Sequence, residues 1–189
     1  MNLTPQHLNI KFESPPQIDF SDATNFDTRE KIDQVLCGIG VNTFNRFEVF
    51  LKMAEALQRY PELYWYALRQ AYDSSDGIFS KSCEVELSFG CGLPGKENLM
   101  TNDELNFFNH LPGQVTIYRA MSVEEYESGS FGVSWTLSKK VAEFFLTYWR
   151  CPDVRKGNPK TIAQIEVHKF SLIAYFNGRD EEEIIYMHE

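Results

Sequence analysis

Apolar residues in the first half of the chain recur at three- and four-residue spacing, the period of a helix with one buried face. From Phe44 the positions Phe47, Leu51 and Ala54 follow this rule. Pro61, a residue suited to a first helical turn, then opens a second stretch through Tyr64, Ala67, Leu68 and Ala71. The two helices are expected to pack together. The same stretch carries Tyr60, Tyr64, Trp65, Tyr66 and Tyr72, an aromatic set whose helical spacing favours core packing over stacking on a base or nicotinamide. Residues before about Asp33 show little periodicity and carry prolines at 5, 15 and 16. Residues 1–40 therefore read as an N-terminal arm, either laid over the domain, partly disordered, or binding a partner. Asp73-Ser74-Ser75-Asp76-Gly77 is a turn cluster, and little helical signal follows it up to Met100. Within that segment Glu84–Phe89 alternates like a strand. Thr101-Asn102-Asp103-Glu104 is a capping box for a short helix carrying Leu105 and Phe108, ended by Pro112-Gly113.

Beyond Gly113 the pattern changes to short β-rich runs: 115–119, 132–136, 161–167, 173–176 and 183–187. Two helices interrupt them. Ser122 caps the first, and Ser138 caps a longer one with Ala142, Phe145 and Trp149 on its buried face. The sequence predicts one α+β domain over 1–189, with the arm at 1–40, a helical part at 41–112 and a strand-rich part at 113–189.

A length of 189 residues with 43% hydrophobic content suffices for one well-packed domain. The net charge of -9 argues against a general electrostatic grip on nucleic acid or on an anionic membrane. Lys139, Lys140, Arg150, Arg155, Lys156 and Lys160 form a loose basic cluster, read first as a solvated helix end and loop. Cys37, Cys83, Cys91 and Cys151 lack zinc-ligand spacing, and His7, His110, His168 and His188 are scattered, so no metal site is expected. No run is long and apolar enough for a bilayer, and the first residues do not read as a signal peptide. The expectation is a soluble cytoplasmic protein with reduced thiols.

Gly90-Cys91-Gly92-Leu93-Pro94-Gly95 matches the dinucleotide pattern GxGxxG. It lacks the setting that pattern requires, because no doubly buried strand precedes it and no long apolar helix follows. It reads as a glycine-rich turn.

Three other pieces carry chemistry: Ile117-Tyr118-Arg119, Gly132-Val133-Ser134-Trp135-Thr136, and Glu181-Glu182-Glu183-Ile184-Ile185. In this order they resemble the Arg-Ser-Glu signature of the ADP-ribosyltransferase superfamily, in its toxin-like Glu-x-Glu branch. The likeness spans roughly residues 115–187. It comprises an aromatic-Arg pair ending a strand, a Ser-x-Thr strand before a helix with Ala142, Phe144 and Phe145, and Glu-x-Glu leading an apolar strand. Ala120 departs from the glycine often found after the arginine.

The resemblance implies two roughly perpendicular β-sheets around a cleft for NAD, the co-substrate. Breaking the glycosidic bond to nicotinamide develops positive charge on the ribose, which a fixed carboxylate stabilises. Glu183 takes that role. Two residues earlier on an extended chain a side chain faces the same way, so Glu181 is expected to orient or deprotonate the acceptor while Glu182 points away. Arg119 is expected to pair with the pyrophosphate or adjoining ribose. Ser134 and Thr136 brace the cleft floor, with the Ser134 hydroxyl on the ribose or on Glu183 and Trp135 packed on the opposite face. Gly132 permits close approach of the backbone, and Tyr118 packs beside the site. Asn177–Asp180 forms part of an acceptor loop in which Arg179 is by default a surface residue.

The function implied is mono-ADP-ribosyl transfer to a macromolecular acceptor, a protein arginine or a nucleic-acid base. Small relatives of this kind act as toxins or phage-defence effectors, some of them held by an antitoxin or inhibitor protein. Two alternatives stay open: a NAD glycohydrolase, and a catalytically silent fold of the same kind that binds a protein.

Overall fold

The computed structural model describes residues 18–148 and 160–188. The expectations for Pro5, His7, Pro15, Pro16, Trp149, Arg150, Cys151, Arg155 and Lys156 lie outside them. Helices come first and one antiparallel sheet follows, so the chain is α+β.

The N-terminal region was expected to be an arm as far as residue 40, yet from Ala23 onward it belongs to the core. A short 3₁₀ turn, Ala23–Phe26, leads to α1, Arg29–Leu36, whose first turn is capped by Thr28 Oγ1 accepting from Lys31 N at 3.3 Å. Phe26, Ile32 and Leu36 are fully buried. Ile32, Val35 and Leu36 have helical spacing, but one turn and a half of signal is too short to stand out between polar neighbours.

Helices α2, Arg46–Leu57, and α3, Pro61–Asp73, pack on each other as expected. Phe50 meets Tyr64 edge-on at 5.4 Å between ring centroids. Tyr64, Trp65 and Tyr72 point into the core, which suits their large apolar surfaces.

The expected strand at Glu84–Phe89 is a helix instead: α4, Ser82–Phe89. Its alternation is deceptive, because the buried positions are Val85, Ser88 and Phe89, whereas Leu87 is 73% exposed. Four-residue spacing between Val85 and Phe89 outweighs the period of two. The glycine-rich hexapeptide thus follows a helix, and Trp65 Nε1 donates to its Pro94 carbonyl at 2.8 Å. Next comes α5, Asn102–Asn109, with the expected capping box formed in both directions between Thr101 and Glu104.

The strands are β1, Gln114–Ser122; β2, Ser134–Thr136; β3, Lys160–His168; β4, Leu172–Phe176; and β5, Glu183–Tyr186. Helices α6, Val123–Ser128, and α7, Lys139–Tyr148, follow β1 and β2. The spatial order β3-β1-β2-β5-β4 makes one five-stranded antiparallel sheet, where two sheets were expected. The physical reason is that β2, though short, pairs on both of its edges. Its Thr136 pairs with Tyr118 on one side and with Glu183 on the other, so a single residue pair joins β3-β1 to β2-β5-β4.

Each face of the sheet has its own core. Ile173, Ala174, Phe176 and Ile185 pack with the N-terminal helices, while Ile117, Met121, Trp135, Tyr175 and Ile184 form a second cluster. β4 is buried along its whole length, consistent with an uninterrupted apolar run covered on both faces. In β5 the alternation sends Ile184 to the second cluster and Ile185 to the helical side, and each buried isoleucine contributes about 1.5–3 kcal/mol.

Candidate functional site

A cavity of about 480 Å³ opens between α3, α4 and the central strands. Its walls include Tyr118, Arg119, Gly132, Ser134, Thr136, Glu181 and Glu183, residues drawn from all three sequence pieces. Tyr72, Val85, Glu125, Phe145 and Lys160 also line it. The volume lies within the range of small-molecule clefts, about 300–1,000 Å³.

Glu183, the first residue of β5, is 5% exposed. Its Oε1 accepts from the Ser134 hydroxyl at 2.5 Å and from the Tyr72 hydroxyl at 2.9 Å. Ser134 is two residues from Thr136 on β2, and Thr136 pairs with Glu183, so the serine hydroxyl and the carboxylate share one face of the sheet. Trp135 takes the opposite face and joins the second core. Burial raises the Glu183 pKa above the usual carboxylate value, against the lowering effects of the Ser134 and Tyr72 hydrogen bonds and of Arg179. The Tyr72 phenol is pushed well up by burial and by the adjacent carboxylate, so it remains a donor.

Glu181 lines the same cavity, but not by the extended route expected. Asp180 and Glu182 both adopt left-handed backbone, with φ of 56° and 46°, a conformation that costs a non-glycine residue about 1–2 kcal/mol. The turn is held by neighbours: Thr136 Oγ1 donates to Glu181 O at 2.7 Å, and Leu137 N donates to Glu182 O at 3.0 Å. Thr136 therefore fixes the acidic segment through its backbone. Glu182 is exposed, as expected.

Arg119 is committed to protein partners before any ligand arrives. Nε and Nη2 each lie 2.9 Å from Glu125 Oε1, and Nη1 donates to Ser134 O at 2.6 Å. A guanidinium has five N–H groups, and the hydrogen bonds from Nε and Nη1 leave others for a ligand. A Cβ at Gly132 would stand 2.6 Å from Arg119 Nη2 and would push the guanidinium out of this arrangement. The Gly132 N–H donates to Glu125 Oε1 at 3.1 Å. Glu125 thus orients both the arginine and the neighbouring backbone.

Three site residues escaped the sequence reading in whole or part. Tyr72 sits in an aromatic helix where packing is the default, Glu125 reads as a residue in a capped first turn, and Arg179 reads as a surface arginine. The structure brings Arg179 to 3.2 Å from Glu181 and 3.5 Å from Glu183. Behind the acidic turn lies a buried ion pair. Arg69 Nη2 donates to Glu104 Oε1 at 2.9 Å, which also accepts from Asn177 N at 2.7 Å, and the Arg69 guanidinium lies 3.6 Å from the Phe176 ring centroid. Burial opposes ionisation of Glu104, but the amides of Asn177 and Thr101 together with Arg69 hold its pKa below the usual value.

Lys139 and Lys140 are solvent-exposed, whereas Lys160 lines the cavity and donates to Leu146 O at 2.8 Å. Among the described residues no group of three or more His, Cys, Asp or Glu is placed to hold a metal ion, and no helix is long and apolar enough to cross a membrane. No protein-family model, curated protein or solved structure matches the chain.

Proposed function

We propose that this protein is a mono-ADP-ribosyltransferase, using NAD as co-substrate and a protein arginine or nucleic-acid base as acceptor. The observation that carries the reading is the fixed carboxylate of Glu183, held on Oε1 by two hydroxyl donors while the residue lines a cavity large enough for a nucleotide. A carboxylate held in place beforehand needs no reorganisation when positive charge develops at the ribose C1′. Glu183 is assigned to that charge and to the ribose 2′-hydroxyl. Arg119 is assigned to the pyrophosphate or adjoining ribose through the N–H groups not engaged with Glu125 and Ser134, with Tyr118, Val85 and Phe145 as apolar wall.

Glu181 is assigned to the acceptor, taking its proton as nicotinamide departs. In this reading β3-β1 and β2-β5-β4, joined through β2 in one sheet, take the place of the two sheets around the cleft. A role as a toxin or phage-defence effector held by an antitoxin or inhibitor protein belongs to the same proposal. The test is incubation with labelled NAD and a whole-cell lysate, followed by nuclease or protease. Label lost to one treatment and absent with Glu183→Gln supports transfer and names the acceptor class. Free ADP-ribose without labelled macromolecule favours the glycohydrolase, and NAD binding without turnover favours the silent fold.

A further inference from the structure

The Arg179 guanidinium lies against both carboxylates to which the proposed reaction assigns its chemistry. Nε is 3.2 Å from Glu181 Oε2 and Nη2 is 3.5 Å from Glu183 Oε2. These are the two carboxylates assigned to the acceptor proton and to the reacting ribose. The side chain is 53% exposed and meets the two carboxylates on their solvent side, outside the wall of the main cavity. With Asp73 and Phe176 the same three residues frame a small recess of about 80 Å³ beside the main cavity.

The turn that carries Arg179 is itself fixed by its backbone. Asp180 N donates to Asn177 O at 3.1 Å, Glu182 N donates to Asn177 Oδ1 at 3.3 Å, and Asn177 N is itself fixed on the buried Glu104 carboxylate at 2.7 Å. A nitrogen held beside a proton acceptor and a reacting carbon gains the rate advantage of an intramolecular group.

We propose, resting on the transferase reading above, that Arg179 is itself an acceptor, so that the chain carries its own ADP-ribosylation site at the mouth of the cleft. The bond from ribose C1′ to nicotinamide breaks, and its electron pair leaves with neutral nicotinamide. A bond from C1′ to an Arg179 guanidinium nitrogen forms, and the proton displaced from that nitrogen passes to Glu181. The modified side chain remains a cation but carries a bulky diphosphate group, which separates it from the two carboxylates and leaves the product lodged at the acceptor entrance. Self-modification is then a single event per molecule that slows later turnover.

The experiment uses the full chain alone with NAD, measuring nicotinamide release and mapping modified peptides by fragmentation that preserves the glycosidic bond. The expected result is one ADP-ribosyl group on Arg179, gained at a rate per molecule that does not change on dilution, and not gained from free ADP-ribose. Nicotinamide release with Arg179 unmodified overturns self-modification and leaves the proposed function standing. Modification that depends on protein concentration, or that free ADP-ribose reproduces, also overturns it. No nicotinamide release, alone or with lysate added, overturns both.

Discussion

The Tyr72 hydroxyl donates to Glu183 Oε1 at 2.9 Å, joining the last turn of an N-terminal helix to the first residue of the last strand across 111 positions of sequence. The carboxylate is therefore placed by two independent elements, helix α3 and strand β2. Its geometry depends on the packing of the whole domain and not on the strands alone.

Tyr72→Phe tests that dependence. A hydrogen bond to a charged group contributes about 1.5–3 kcal/mol, so a loss of roughly tenfold or more in kcat/KM for NAD is expected. Tyr72 donates to the ionised form of Glu183 and lowers its pKa. Removing the hydroxyl raises that pKa further, and the acid limb of the pH–rate profile moves to higher pH. An unmoved acid limb would separate Tyr72 from the reacting carboxylate.

Glu125→Gln keeps the size of the side chain but weakens its hold on Arg119. The expected outcome is a rise in KM for NAD of about tenfold with a smaller change in kcat, because the arginine is assigned to binding. Equal kcat and KM with the parent protein would mean that Arg119 keeps its orientation without Glu125.

Burial raises the pKa of Glu183 in the folded protein. A group raised in this way adds stability that is full below its unfolded pKa and is lost as pH rises through the folded value. Ionising Glu183 therefore burdens the fold as pH rises, and Glu183→Gln is expected to melt at a higher temperature than the parent above the unfolded carboxylate range. The difference should vanish in acid. Thermal denaturation of both proteins across pH 4–8 checks this, and a variant less stable at neutral pH would contradict it.

The sequence displayed the strand half of the site well, for a physical reason. β2 and β5 announce themselves by composition, and alternation puts Ser134 and Thr136 on one face with Trp135 on the other. What it concealed came from helices and turns. Tyr72 is one aromatic among several whose spacing already satisfies core packing, so a hydrogen bond to a residue far along the chain leaves no local trace. α4 shows a period of two that its burial does not follow, and α1 offers less than two turns of apolar spacing. The left-handed turn at Asp180 and Glu182 depends on Thr136 and Leu137, partners that no local propensity reveals.

Glu104 connects the helical half to the acidic turn through Arg69 and Asn177. Removing one partner of a buried ion pair costs about 3–5 kcal/mol. Glu104→Ala is expected to lower stability by that amount in urea denaturation and to impair transfer, because Asn177 anchors the turn that carries Glu181. A loss below about 1 kcal/mol, the usual size for an exposed pair, would show that the network is dispensable.

The most direct test of the central claim is nicotinamide release from NAD by the purified protein with whole-cell lysate, compared with Glu183→Gln after heat-inactivating the lysate's own enzymes. The account predicts release by the parent protein and a loss of about 10²–10³-fold in the variant, the scale on which removing one preorganised charge-stabilising group slows an enzyme. No release by the parent, or equal release by both proteins, would contradict it.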